Sequence, residues 1–200
     1  MPDFEAMYTR SLPNWDIGRP QPAFLALAES GILRGRVLDV GCGTGEHALM
    51  AAAVRLNATG IDMAPTAIAT ARGKAENRGL NVRFLVADAL ELSKVNEQFD
   101  TVLDCGLFHV FDDVDRALFV SNLCDVIPAG GRYFMLSFSD RQPGSIGPRR
   151  VSEAEIRAAF ADGWDIESIE PANIAINTDV DGAHAWLASI RRSGRAGVDR

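Results

Sequence analysis

The chain has 200 residues, of which 47% are hydrophobic, and its 20 basic and 27 acidic side chains give a formal charge of −7 at pH 7. A chain of this length can bury a substantial core, so we expect one domain over residues 1–200. The negative charge and the lack of a long basic block argue against a nucleic-acid partner. No apolar run approaches the roughly 20 residues of a membrane span, and the first residues carry no basic leader. We therefore expect no membrane partner and a cytoplasmic location, with a monomer or a homodimer as alternatives.

The three cysteines agree with that location. Cys42, Cys105 and Cys124 lie in or beside apolar segments and lack the spacing of a metal site. Thiols of this kind are typical of a reducing compartment, so we expect no disulfide bonds.

Predicted strands and helices alternate along the chain, separated by short polar breaks. The predicted helices cover 23–30, 46–56, 65–78, 114–127 and 152–161, and the predicted strands cover 36–40, 58–62, 82–87, 101–104, 132–138, 165–171 and 184–191. Ser152 and Glu155 have the spacing of a capping box, which marks the start of the last helix. The last two strands have no helix between them, which predicts an antiparallel hairpin. The predicted fold is α/β: a Rossmann-like, doubly wound sheet of seven strands, mostly parallel, with the hairpin at one edge.

A glycine-rich turn after the first strand predicts a cofactor site. Gly41, Gly43 and Gly45 allow positive φ angles and remove side chains that would keep a ligand away. Asp62 ends the next strand, where a doubly wound fold places a carboxylate for ribose hydroxyls. The strand, the turn, the helix start and the acidic residue together predict a nucleoside cofactor.

The glycine spacing distinguishes two classes of cofactor. A dinucleotide fingerprint would have its third glycine at position 46, which is Glu46 here, and a carboxylate there would repel a pyrophosphate. A cofactor without phosphates fits better, because its ammonium would be attracted by Asp39 and its carboxylate would bind N–H groups at the helix start. A nicotinamide oxidoreductase and a non-catalytic cofactor-binding or scaffold protein are the alternatives.

Three segments closely resemble the class I S-adenosylmethionine-dependent methyltransferases. They are Val37-Leu38-Asp39-Val40-Gly41-Cys42-Gly43-Thr44-Gly45, Gly60-Ile61-Asp62 and Ala87-Asp88-Ala89. The resemblance covers about residues 35–139 and implies S-adenosylmethionine as cofactor and S-adenosylhomocysteine as product.

The stretches 8–24 and 104–111 look like the thiopurine-methyltransferase-like branch of that family, whose members methylate thiols, halides, ring nitrogens or hydroxyls of small molecules. We expect methyl transfer to a small-molecule hydroxyl, with a sugar hydroxyl among the candidates. N- or S-methylation of small heterocycles or thiols is the alternative.

Several residues are assigned to the cofactor by position. Asp62 should accept from the ribose hydroxyls, and Met63 should cover the adenine unless it only packs at the helix start. The resemblance makes Asp88 the acceptor for the adenine amine, with a cap on the following turn as the alternative. His47 is predicted to form part of the cofactor wall. The full predicted set is Trp15, Gln21, Asp39, Gly41, Cys42, Gly43, Gly45, His47, Asp62, Met63, Asp88, Ala89 and Asp104.

Two irregular segments are predicted to cover the site. Residues 1–22 should form a lid, in which Trp15 faces the sulfonium by cation–π attraction and Gln21 offers amide donors. A core-anchoring tryptophan is the alternative. Tyr8 and Trp15 are predicted to contact the substrate. Residues 139–150 leave the carboxyl end of the fifth strand and are predicted to form a substrate loop.

A hydroxyl acceptor must lose its proton during methyl transfer. His109, just after the fourth strand, is the predicted general base and substrate contact, with a buried structural histidine as the alternative. Asp140 is the second candidate for both roles, with a loop cap as its alternative. The run Asp112, Asp113 and Asp115 could hold a divalent cation such as Mg²⁺, but we favour an acidic helix start and predict no metal site.

Overall fold

The computed structural model describes residues 3–145 and 147–194. Six helices and seven strands alternate along these residues, with short 3₁₀ turns at Ala89–Val95 and Phe108–Val110. The helices are α1 (Phe4–Arg10), α2 (Pro22–Glu29), α3 (Glu46–Ala53), α4 (Pro65–Arg78), α5 (Asp113–Val126) and α6 (Glu153–Ala159). The strands are β1 (Arg36–Val40), β2 (Asn57–Asp62), β3 (Val82–Val86), β4 (Thr101–Cys105), β5 (Arg132–Phe138), β6 (Trp164–Ile176) and β7 (Asp179–Arg192).

The strands form one sheet in the order β3-β2-β1-β4-β5-β7-β6. All neighbouring pairs are parallel except those of β7, which runs antiparallel to β5 and β6. The predicted fold class is therefore confirmed. Strand order reverses between β1 and β4, so the carboxyl ends of these strands form the crevice in which doubly wound folds bind ligands.

Apolar side chains cover both faces of the sheet, as expected for parallel strands. One cluster includes Leu38, Phe119 and Tyr133, and the other includes Phe24, Leu49 and Leu136. No helix in the described part of the chain is long and apolar enough to cross a membrane.

The edge hairpin is longer than the sequence pattern predicts. Pro171 is the predicted end of the sixth strand, but β6 continues to Ile176, and β7 starts at Asp179. A proline fits here because β6 is the edge strand, where one side of the backbone has no partner strand to bond. The extension brings the tip of the hairpin against the amino-terminal segment, where Asn177 N–H donates to the carbonyl of Asn14.

Two helices differ from the prediction by more than two residues, and α2, α5 and α6 by one or two at their ends. Helix α1 is absent from the predicted elements, although Asp3 caps it by accepting from Ala6 N–H. Helix α3 ends three residues before the predicted 56, because Arg55 adopts a positive φ of 65° that no helix can contain. The predicted capping box of α6 is confirmed, with Ser152 and Glu155 bonded reciprocally.

Candidate active site

The glycine turn between β1 and α3 has the predicted backbone. Gly41, Gly43 and Gly45 have φ angles of 67°, 52° and 86°. A Cβ on Gly43 would lie 2.6 Å from the hydroxyl of Tyr8, whereas a Cβ on Gly45 would lie 2.6 Å from the ring of Phe84. Gly45 thus lets α3 approach the sheet, and only Gly43 borders the amino-terminal segment. That the three glycines also clear space for a ligand stays a prediction.

Acidic side chains at the carboxyl ends of β1, β2 and β4 give the crevice a negative floor. Asp39 is buried, and its Oδ2 accepts from Ala48 N–H at 3.0 Å. Its Oδ1 has no hydrogen-bond partner among the described residues. Burial, together with the charges of Asp62 and Asp104, raises the pKa of Asp39 to about 8 in spite of the Ala48 bond. A buried, partly unsatisfied carboxylate in an acidic cluster suits a cationic ligand.

Asp62 closes this floor from β2. Its Oδ2 accepts from Gly43 N–H at 2.8 Å and its Oδ1 from Ala64 N–H at 2.9 Å, and burial raises its pKa. Each carboxylate oxygen has a second lone pair, so both could still accept from ribose hydroxyls. The adjacent Met63 is 45% exposed, so the alternative of ordinary packing at the helix start does not apply.

Asp88 and Asp104 have partners within the protein. Asp88 accepts from Leu90 N–H at 2.8 Å, so the predicted alternative, a cap on the following turn, is present. Asp104 is fully buried, and its carboxylate accepts from Tyr133 Oη at 2.6 Å and from Leu107 N–H at 2.8 Å. These bonds fix the turn after β4, and burial raises the pKa of Asp104 to about 6. Contacts from Asp88 and the neighbouring Ala89 to the adenine stay a prediction, as does a contact from Asp104 to the cofactor.

His47 and Gln21 join the amino-terminal segment to the sheet. His47 Nε2 accepts from the backbone N–H of Gln21 at 3.2 Å, and burial lowers the pKa of His47 to about 4. The side-chain amide of Gln21 bonds the backbone of Ala175 on β6 through both its oxygen and its nitrogen. The amide that we predicted to offer donors to the cofactor thus secures the hairpin, and its contact with the cofactor stays a prediction.

The amino-terminal segment lies over the glycine turn. The carboxylate of Glu5 accepts from Thr66 N–H at 3.1 Å and from its hydroxyl at 2.5 Å, which docks α1 on the start of α4. Tyr8 Oη accepts from Trp15 Nε1 at 3.3 Å, and burial raises the pKa of Tyr8. Trp15 is 45% exposed, so the alternative of a core-anchoring tryptophan is wrong.

His109 lies in the 3₁₀ turn after β4, on the side predicted for methyl transfer. Its Nδ1 accepts from the backbone N–H of Phe138 at 3.0 Å. Its Nε2 lies 3.4 Å from the position that a Cβ on Gly106 would occupy. Burial lowers the pKa of His109 to about 3, and the positive charges of Arg150 and Arg116 act in the same direction. The ring is therefore neutral, as expected from its apolar neighbours.

Asp140 begins the loop after β5 and is exposed. Its Oδ1 accepts from Trp186 Nε1 at 3.3 Å, and the guanidinium of Arg141 lies 4.3 Å above the Trp186 ring. Arg149 ties the loop to Glu155 at the start of α6. Residue 146 of the predicted loop 139–150 lies outside the described residues.

The acidic run after His109 forms the start of helix α5, which is the interpretation preferred from the sequence. Asp112 caps α5 by accepting from the N–H groups of Val114 and Asp115. Asp113 pairs with Arg149 at 2.6 Å. Across 3–145 and 147–194, no group of three or more His, Cys, Asp or Glu side chains could hold a metal ion.

The charge of Glu46 does not have the effect that we expected from the sequence. Its buried carboxylate accepts from Lys74 and Arg78, whose hydrogen bonds outweigh the effect of burial and lower its pKa. The charge that we expected to repel a pyrophosphate is therefore compensated. Pattern analysis missed Glu5, Asp16 and Thr44 as contacts of the amino-terminal segment, because no local signal pairs them with their distant partners.

Known proteins resemble the chain in sequence and in structure. Residues 37–131 match the family model described as a methyltransferase domain. The chain is 37% identical over 191 residues to the 2-heptyl-1-hydroxyquinolin-4(1H)-one methyltransferase of Mycobacteroides abscessus, covering 93% of this chain and 84% of that protein. It is 28% identical over 166 residues to the probable thiol methyltransferase 2 of Arabidopsis thaliana, covering 81% and 73%.

A solved structure described as "Conversion of a Disulfide Bond into a Thioacetal Group during Echinomycin Biosynthesis" superposes with a TM-score of 0.87. It is 38% identical and covers 96% of this chain and 93% of that one. The chain belongs to the methyltransferase domain family, within the class I S-adenosylmethionine-dependent methyltransferases. It is an enzyme with S-adenosylmethionine as its cofactor. The acidic crevice floor fits that cation, because Asp39 Oδ1 lies 3.8 Å from His47 Nδ1 and accepts no hydrogen bond from the described residues.

Proposed function

We propose that the enzyme methylates the hydroxyl of a small molecule, and that this hydroxyl is acidic enough to bind as an oxyanion. The cofactor supplies an electrophilic methyl group when bound, and the protein aligns the acceptor with it in a dry pocket. The observation that carries the proposal is the hydrogen-bonded state of His109. Its Nδ1 accepts from Phe138 N–H, so the proton of the neutral ring sits on Nε2. That nitrogen donates, and a donor orients an oxyanion.

Charge around His109 favours the same kind of acceptor. Arg116 is buried with its guanidinium 4.4 Å above the Phe108 ring, and both Arg116 and Arg150 lower the pKa of His109. Two cations close to the imidazole stabilise a negative charge beside it. An imidazole with a pKa of about 3 is a weak base near pH 7, because general bases work best when their pKa is near the operating pH.

His109 therefore enters this proposal as a hydrogen-bond donor to the acceptor, in place of a general base. Asp140 remains the second candidate for a base, because the bond from Trp186 to its Oδ1 leaves other lone pairs on the carboxylate. Tyr8 and Trp15 remain candidates for substrate contact on the amino-terminal side.

The relative from Mycobacteroides abscessus supports an acidic hydroxyl, since its name specifies a 1-hydroxyquinolin-4(1H)-one. An N-hydroxyl of this kind ionises far more readily than a sugar hydroxyl. The sugar acceptor and the thiopurine-methyltransferase-like branch thus have less support from His109 than an N-hydroxy heterocycle or a phenol has.

A thiolate is the second candidate acceptor. It also reacts as an anion and needs no base, and the probable thiol methyltransferase 2 and the thioacetal-related structure both concern sulfur. His109 Nε2 would donate a hydrogen bond to the thiolate as it would to an oxyanion.

The pH dependence of methyl transfer tests the proposal. Release of S-adenosylhomocysteine would be measured with a 1-hydroxyquinolin-4(1H)-one, phenols of graded acidity, an aromatic thiol and a sugar. We expect the rising limb of kcat/KM against pH to move with the pKa of the acceptor. The variant His109→Gln keeps a donor and should retain more activity than His109→Leu. The opposite result would be a rising limb of kcat/KM that stays near neutral pH for every acceptor and disappears in both variants. His109 would then be the base.

A further inference from the structure

A series of hydrogen bonds links α4 to the amino-terminal segment through the glycine turn. The buried carboxylate of Glu46 accepts from Lys74 Nζ at 2.8 Å and from Arg78 at 2.8 and 2.9 Å. Lys74 Nζ also donates to Thr44 Oγ1 at 2.6 Å. Thr44 Oγ1 in turn lies 2.6 Å from Asp16 Oδ2. None of these contacts belongs to the cofactor or acceptor contacts described above.

The direction of the hydrogen bonds in this series is fixed by chemistry. An ammonium group can only donate, so Thr44 Oγ1 accepts from Lys74 and gives its own proton to the carboxylate of Asp16. Both bonds involve a charged partner, which makes them stronger than neutral ones. Thr44 is buried, so little bulk water competes for them.

Asp16 holds the part of the segment that carries Trp15. Its Oδ1 accepts from Gly18 N–H at 3.1 Å, and its backbone carbonyl accepts from the Asn177 side chain at 2.8 Å. Trp15 Nε1 bonds Tyr8 Oη, the atom that faces Gly43. The position of Trp15 and Tyr8 over the glycine turn therefore depends on where Asp16 is held.

We propose that Thr44 and Asp16 are positioning residues for the methyltransferase reaction. Their hydrogen bond keeps the amino-terminal segment closed over the glycine turn, and Lys74 orients the Thr44 hydroxyl for that bond. The proposal depends on cofactor binding at this turn and is independent of the identity of the acceptor. A failure of the hydroxyl proposal would leave it intact.

The test removes the Thr44 hydroxyl and keeps its shape. Thr44→Val would be compared with Thr44→Ser, which restores the hydroxyl, and with Thr70→Val, which deletes a hydroxyl that only bonds the Thr66 carbonyl within α4. Hydrogen bonds to charged groups typically contribute 1.5–3 kcal/mol. We expect Thr44→Val to raise the Kd for S-adenosylhomocysteine and the KM for S-adenosylmethionine about tenfold or more, with a smaller change in kcat. Thr44→Ser and Thr70→Val should have Kd and KM values close to those of the parent protein.

Tryptophan fluorescence gives a readout that does not depend on activity. Of the three tryptophans, Trp164 and Trp186 are buried at 6% and 2% exposure, so acrylamide quenching reports mainly on Trp15. S-adenosylhomocysteine should reduce the quenching in the parent protein and in Thr44→Ser, but not in Thr44→Val.

A second variant covers the case in which Thr44→Val fails to fold. Asp16→Ala removes the acceptor from outside the core and should reproduce the loss of affinity. The double variant should be no worse than Asp16→Ala alone, because Asp16→Ala has already broken the bond that Thr44→Val removes. The proposal is overturned if folded Thr44→Val or Asp16→Ala binds S-adenosylhomocysteine with the parent's Kd and shows the parent's acrylamide quenching of Trp15. A lowered melting temperature with unchanged affinity would overturn it too.

Discussion

At the scale of single residues, the buried carboxyl of Asp39 makes the stability of the protein depend on pH. In the folded protein its pKa is about 8, whereas a carboxyl in an unfolded chain titrates near 4. The folded state therefore holds this proton more tightly, and the free energy of unfolding falls as pH rises between the two values. The acidic floor that suits a cationic cofactor is thus destabilising when no cation is bound.

Asp39 is the buried carboxyl whose pKa lies near pH 8, and the raised pKa values of the Cys42 and Cys105 thiols lower stability mainly above that pH. Asp104, with a pKa of about 6, contributes in the same direction below pH 6. His47 and His109, with pKa values of about 4 and 3, act oppositely, because the unfolded chain binds their protons more tightly up to about pH 6.5. Between about pH 6.5 and 8, the titration of Asp39 therefore makes the largest contribution to the pH dependence of the free energy of unfolding.

We predict that the cofactor-free protein loses stability as pH rises from 6.5 to 8, and that Asp39→Asn removes this loss. Urea unfolding at several pH values would measure it. Asp125→Asn, which changes an exposed carboxylate, is the matched control and should keep the parent's pH dependence. Identical pH dependence in the parent and Asp39→Asn would disprove the pKa argument.

At the scale of elements, α1 depends on a contact with a helix distant in sequence. Helix α4 has Ala64 at its N-cap, which offers no side-chain acceptor. Glu5 supplies the missing acceptor from α1 and places a negative charge at the positive end of α4. A helix of seven residues is too short to be stable by itself, and its other contacts include those of Phe4 and Tyr8 with Trp15.

Glu5→Ala should therefore release α1 and loosen the first turn of α4. Hydrogen exchange without cofactor is expected to show lower protection at residues 4–10 and faster exchange at Thr66. Glu29→Ala deletes an exposed carboxylate at the end of α2 and serves as control. Equal exchange in the two variants would mean that the Glu5 contact does not hold the helix.

At the scale of the whole molecule, parts of the chain that are remote in sequence meet around the glycine turn. The amino-terminal segment, the glycine turn and the tip of the hairpin meet at one edge of the sheet. Ligand binding at this edge should therefore stabilise the molecule as a unit.

S-adenosylhomocysteine at 100 times its Kd is expected to add about 2.7 kcal/mol to the free energy of unfolding, and NAD is expected to add nothing measurable. Differential scanning fluorimetry with both ligands would measure the difference. A comparable shift with NAD would contradict the assignment of the glycine turn to a cofactor without phosphates.

Local patterns were sufficient for most of the fold and for the glycine turn. Strands β1 and β5 and helix α4 have the predicted bounds, because each combines a clear apolar pattern with glycine or proline at its ends. The positive φ angles at 41, 43 and 45 follow from glycine itself. Asp62 was predicted as a ribose contact from its place at a strand end, and Asp39 as an attraction for an ammonium group from its charge.

Contacts between distant segments had to come from the tertiary structure. Nothing near Gln21 in the chain indicates that its amide will bond Ala175, and nothing near Glu46 indicates that Lys74 and Arg78 will neutralise it. The sequence also does not indicate which ring nitrogen of His109 carries the proton, since that depends on the N–H of Phe138. Sequence by itself determined the fold and the cofactor edge, because backbone conformation and burial follow local pattern. Tertiary structure decided which polar groups remain free for chemistry, because hydrogen bonds depend on where the folded chain brings its partners.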